Sequence, residues 1–68
     1  MKIGKFDIIG GAFGNAEAGY QGHVMTTWNE GNETLQQPHY FDKFFPTEEG
    51  AMQHAYEQAR LHIESGDW

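Results

Sequence analysis

A chain of 68 residues with four Lys or Arg against ten Asp or Glu has a formal charge of −6, and that field repels phosphate backbones and anionic lipid. It contains no cysteine, so disulfides and thiolate metal sites are excluded. Its length leaves room for one domain, residues 1–68, built on one core. Chains this short bury only roughly 60% of their unfolded surface, and the 15% aromatic content is the natural substitute for a covalent staple.

At the start, Met1-Lys2-Ile3-Gly4-Lys5 has no long apolar run with a cleavage site behind it, and no later stretch is long and apolar enough to cross a bilayer. A cytoplasmic location is the expectation. The first apolar segment, with Phe6, Ile8, Ile9 and Phe13, predicts a strand near Lys5 to Phe13. Within it, Ile8-Ile9-Gly10-Gly11-Ala12-Phe13-Gly14 has the look of a dinucleotide-binding glycine turn. The fingerprint would need glycine where Ile9 stands, and a helix where Asn15 to Gly19 and then strand-like residues follow. A flexible turn or β-bulge is the expectation for the glycine pair.

Gly14 to Gly19 is polar and bounded by glycine, which suits a loop and is short for a crossover helix. Tyr20, Gly22, Val24, Thr26 and Trp28 then alternate with Gln21, His23, Met25, Thr27 and Asn29, the period of a half-buried strand. Asn29 to Glu33 supplies the Gly and Asn of a tight hairpin, making the next strand an antiparallel neighbour. Pro38 cannot donate to a ladder, so Thr34 to Phe45 is expected as a bulged or edge strand.

The last segment carries the strongest signal. Thr47 is placed to cap a helix, Glu48 and Glu49 suit the positive end of its dipole, and Pro46 stops the preceding strand. Steps of 100° put Ala51, Met52, Ala55, Tyr56, Ala59, His62 and Ile63 on one face. The recurrence of Ala51, Ala55 and Ala59 allows the helix backbone to approach the sheet closely. Gly66 reads as the stop, and Trp68 is positioned to fold back on the last turn. The expected fold is α+β, a roughly three-stranded antiparallel sheet packed against one C-terminal amphipathic helix in the order ββ(β)α.

Functional signals are thinner. His23, His39, His54 and His62 include no H-x-x-x-H or H-E-x-x-H spacing, and His54 and His62 stand about 12 Å apart along the helix axis. For His62, on the inner face, a buried imidazole bonded to a carbonyl or tyrosine is the ordinary explanation. His39 with Asp42, or His23 with Glu33 across the hairpin, could form an acid–base pair, but no nucleophile motif accompanies them. No cofactor, no metal ligand set and no catalytic residue is expected. A small metal- or ligand-dependent enzyme acting through His23 or His39 is the alternative reading.

The more telling feature is a surplus of apolar residues on both phases of the strands. If Phe6, Ile8, Val24 and Trp28 face the helix, then Ile9, Phe13, Met25 and some of Tyr40 to Phe45 point to a face that one helix cannot cover. Either that face meets a partner or another copy of the chain, or sheet twist, the irregular third segment and Trp68 wrap these residues into one core. Leu61 falls outside the alanine stripe, beside His54, Glu57 and Gln58. The candidate interaction residues are therefore Ile9, Phe13, Met25, Tyr40, Phe44 and Leu61. An aromatic sheet face can also stack bases, but Lys2, Lys5, Lys43 and Arg60 are too few and scattered to line a phosphate groove.

From Tyr20 through Phe44-Phe45-Pro46-Thr47-Glu48-Glu49-Gly50-Ala51 to Gly66, the layout resembles short bacterial proteins of uncharacterised function built as a small sheet followed by one helix. The resemblance implies that fold and a bacterial origin and carries no catalytic residue. The reading that combines these signals is a non-enzymatic interaction or regulatory module with a protein partner or a second copy of itself, a homodimer, and without nucleic acid or membrane as partner.

Overall fold

The computed structural model describes every residue from Met1 to Trp68. Three hairpins fold the first two thirds of the chain into one antiparallel sheet in sequence order: β1 (Lys2–Ile3), β2 (Phe6–Asn15), β3 (Gly19–Glu30) and β4 (Glu33–Phe45). The sheet thus has four strands where the sequence pattern predicts three. The addition is β1, joined to β2 by Gly4-Lys5. Two residues are too few to show a hydrophobic period. Gly4 (φ 58°) and Gly31 (φ 60°) each stand first of the two central turn residues. Positive φ at that place gives the type II′ twist that matches the flanking strands.

β4 is both an edge strand and a bulged one. Gln21 pairs with Phe44 but His23 pairs with Tyr40, so Phe41, Asp42 and Lys43 together oppose Gly22. The Gln21 side chain answers the disturbance by donating to the Phe41 carbonyl at 3.3 Å.

The helix α1 (Glu48–Ser65) starts where the sequence marks it. The Thr47 hydroxyl accepts from the Gly50 N–H at 3.0 Å, with Glu48 and Glu49 in the first turn. At the far end the N–H groups of Gly66 and Asp67 bond back to the carbonyls of Ile63 and His62. No helix is long and apolar enough to cross a membrane.

The helix lies on one face of the sheet, over Phe6, Ile8, Val24 and Thr26, with Ala51, Ala55 and Ala59 fully buried beneath it. Register puts Ala12 beside Gly22, Gly10 beside Val24 and His39, and Ile8 beside Thr26 and Gln37 on this face. Thr26, the buried polar residue, donates its hydroxyl to the Gln37 carbonyl at 3.0 Å. Ile3, Trp28, Phe41, Tyr56, Ile63 and Trp68 close the rim half-buried. Phe6 meets Trp28 edge-on at 5.3 Å, a geometry that adds to the area it buries.

Glycine sets the depth of that contact. A Cβ on Gly22 would collide with the Ala51 carbonyl oxygen and lie 2.9 Å from the Ala55 Cβ. The pair Gly10-Gly11 proves to be regular strand, where a turn or bulge is expected from sequence. A Cβ on Gly10 would sit 2.8 Å from the Tyr56 ring on the helix side, and one on Gly11 would sit 2.8 Å from the His23 ring on the other. The glycines are seats for rings, and those rings lie far along the chain.

Gly22→Ala should therefore lower stability by about 1–3 kcal/mol, the cost of overpacking a tight contact. Thr47→Ala should lose about 1 kcal/mol through the lost cap. Urea titration followed by circular dichroism measures both, and a Gly22→Ala protein as stable as the parent would mean the helix does not seat this closely.

Candidate functional site

The second face of the sheet has no helix on it. Ile9, Met25 and Pro38 form one cross-strand row on this side, Gly11, His23 and Tyr40 the next, and Phe13, Gln21 and Phe44 the third. Alternation of side chains along each strand places these rows together, opposite in phase to the helix-facing residues. Ile9 is 70% exposed, Tyr40 66%, Phe44 54% and Phe13 46%, while Met25 is half-buried between Ile9 and Pro38. The alternative, in which twist and Trp68 wrap these residues into one core, does not hold for them.

His23 is the hub of this face. Its ring lies 5.8 Å from Phe13 and 6.2 Å from Tyr40, and Phe13 meets Tyr40 at 6.3 Å and 78°. The missing side chain of Gly11 makes room for the His23 ring to lie across β2. No charged residue occurs in these three rows, although the chain carries −6 overall. Asp7 begins the next row, with Thr27 and Gln36.

Five of the six candidate residues thus converge on one face: Ile9, Phe13, Met25, Tyr40 and Phe44. Leu61, 58% exposed, is on the helix and so on the far side of the sheet from them. Sequence reading missed His23 and Gly11 as parts of this surface. The available signal was the Gly10-Gly11 pair inside an apolar strand, since glycine there marks a close approach by another group.

The histidines are spent on aromatic packing. His39 stacks on Trp68 at 3.7 Å and 11°, His62 stacks on the other side of Trp68 at 4.9 Å and 8°, and His54 packs against Phe45 at 5.0 Å and Phe41 at 5.9 Å. His62 is not the buried, carbonyl-bonded imidazole expected from its angle on the helix. It is partly exposed, and its Nδ1 meets the Asp67 carboxylate at 3.2 Å. His23 and His39 lie on opposite faces of the sheet. His23 pairs with Tyr40, seven residues along β4 from Glu33, about 23 Å in an extended strand. No three His, Asp or Glu side chains converge as a metal site would need.

Two depressions flank the helix. One, of about 310 Å³, lies beyond its C-terminal end among Phe6, Trp28, His39 and Trp68. The other is a shallow groove of about 690 Å³ along the helix, with Met1, Met52 and Tyr56 as its apolar lining. No family model, curated protein or solved structure matches the chain.

Burial against Trp68, followed by the nearby His62, lowers the pKa of His39 from its ordinary 6.5. The folded state then binds fewer protons than the unfolded state, so acidification destabilises it. The stability held above pH 6.5 should be lost as pH falls through 6.5 toward the lowered folded value. His39→Gln should flatten that part of the profile. Thermal unfolding of both proteins across this range checks it, and parallel profiles would rule the assignment out.

Proposed function

We propose that this chain is a non-enzymatic interaction module whose open sheet face packs against the same face of a second copy. The observation that supports this reading is the combination of Ile9, Phe13, Tyr40 and Phe44 exposed side by side with an absence of charge from their rows. Exposed apolar surface of this kind marks interaction sites, and closed two-fold pairing is the commonest way to cover one. Charge selects the partner. A surface meant for a basic protein would present carboxylates, and the carboxylates of this chain lie in the β2–β3 turn, at the facing ends of β3 and β4, in the bulge, on and just after the helix, and at Asp7 beside the rows. The three rows themselves bring no charge against their own copy, while Asp7 begins the row beside them and Asp42 lies in the bulge between Tyr40 and Phe44.

The resulting assembly is two sheets face to face with a helix on each outer side, the separation being about 10 Å as in other sheet pairs. The three rows cover roughly 20 Å by 14 Å. That footprint, about 280 Å² on each copy, is well below the roughly 800 Å² per partner of a stable interface, so association is weak, reversible and dependent on concentration.

Size-exclusion chromatography with light scattering over a range of concentrations should show the mass rising from 7.7 kDa toward twice that value. Phe13→Asp, a change at an exposed position, should hold the protein at 7.7 kDa throughout. A parent protein that stays at one-chain mass at every concentration would overturn the reading, as would a Phe13→Asp protein that associates like the parent.

A further inference from the structure

The three rows of the open face cross three strands, and His23 holds the middle position of that patch, in the second row on the central strand β3. Among the residues of these rows, histidine alone changes charge between about pH 5 and 8. The ring leans toward β2, where its Nε2 lies 2.8 Å from the point a Cβ on Gly11 would occupy. Its nitrogens make no hydrogen bond within the chain, and the one ion pair of the chain joins His62 to Asp67 on the other side of the sheet. No buried side-chain nitrogen lacks a partner, so those of half-buried His23 reach solvent.

Pairing changes that setting. A two-fold axis that lays the patch on its own copy carries the middle position onto itself, so the two His23 rings meet at the centre of the interface. There Phe13, Met25 and Tyr40 of the two copies take the place of water. An imidazolium loses hydration on entering such a surface, and two of them repel each other. Neutral imidazoles suffer neither cost. The charged groups around His23 do not cancel it. On β2 the nearest is Asp7, about 13 Å along the strand from Gly11, and it shares its row with Lys2. On β3 it is Glu30, about 23 Å away. On β4 it is Asp42, one strand across and about 8 Å off by strand spacings, exposed in the bulge with Lys43 next to it. Exposed charges at that distance are screened by water and salt, and the axis brings His23 against His23 rather than against either carboxylate.

Resting on the self-association proposed above, we infer that His23 makes the pairing proton-sensitive: two chains join through this face while its imidazole is neutral and separate when it is protonated. Each pair released takes up two protons, so the dissociation constant rises by about ten- to a hundredfold between about pH 7.5 and 5.5. Linkage is reciprocal, so pairing makes His23 harder to protonate. The acid response of His39 is a separate matter. That residue stacks on Trp68 on the helix side of the sheet and alters the stability of a single chain, whereas His23 alters association.

Light scattering of the parent protein over a range of concentrations, at about pH 7.5 and about pH 5.5, gives the two dissociation constants, with the amide NMR spectrum checking that the chain is folded at both. The reciprocal effect needs no substitution. The His23 Cε1–H resonance, followed against pH in dilute and concentrated samples, should show a titration midpoint that falls as concentration rises. His23→Gln, which has no proton to take up in this range, should pair to the same extent at both pH values. A dissociation constant that does not rise on acidification, or a His23 midpoint independent of concentration in a protein that pairs, would overturn the inference and leave the pairing itself standing. One-chain mass at every concentration at the higher pH would overturn both.

Discussion

The contact between the alanine stripe of the helix and Gly22 governs the whole molecule. Ala51, Ala55 and Ala59 bring no bulk to the interface, and Gly22 removes the one side chain that would hold the helix away from β3. Close approach lets Ile8 and Val24 become fully buried under the alanine stripe, with Tyr56 and Ile63 of the helix packed at its sides. Such a core is thin. The aromatic groups on the far side point away from it, so they gain nothing from it.

Length mismatch extends the same consequence along the molecule. An 18-residue helix spans about 27 Å, whereas the 12 residues of β3 span about 40 Å. The overhang is closed by Trp68, held flat between His39 and His62 beyond the end of α1, and by the Phe6–Trp28 pair. Two surfaces are left uncovered by one small helix: the neutral aromatic face and the cleft beside Trp68. Most of the charge sits away from the first, so its chemistry differs from that of the charged groove along the helix.

Where a signal was local, it was legible in the sequence. Thr47 and Gly66 bound the helix by hydrogen bonds to residues three or four positions away, and the alternation from Tyr20 to Asn29 sorts β3 into two faces without reference to any other element. Pro38 announces an edge because its missing N–H has the same meaning in any sheet. The α+β class and the helix-facing set Phe6, Ile8, Val24 and Trp28 followed from these. What escaped depends on distant partners. Gly10 and Gly11 suggest a turn until Tyr56, 46 residues away, is known to lie over one of them. β1 exists through its bonds to β2. Leu61 shares no surface with the sheet residues because it is exposed on the helix, which covers the opposite face.

One side of this sheet is sealed by the helix and the reverse side is bare. Solvent paramagnetic relaxation enhancement, measured on dilute Phe13→Asp protein so that no copy covers the face, reads that asymmetry directly. The side-chain signals of Ile9, Met25 and Tyr40 should broaden strongly, with Ile8, Val24 and Ala55 spared. Equal protection of Ile9 and Ile8 would contradict it.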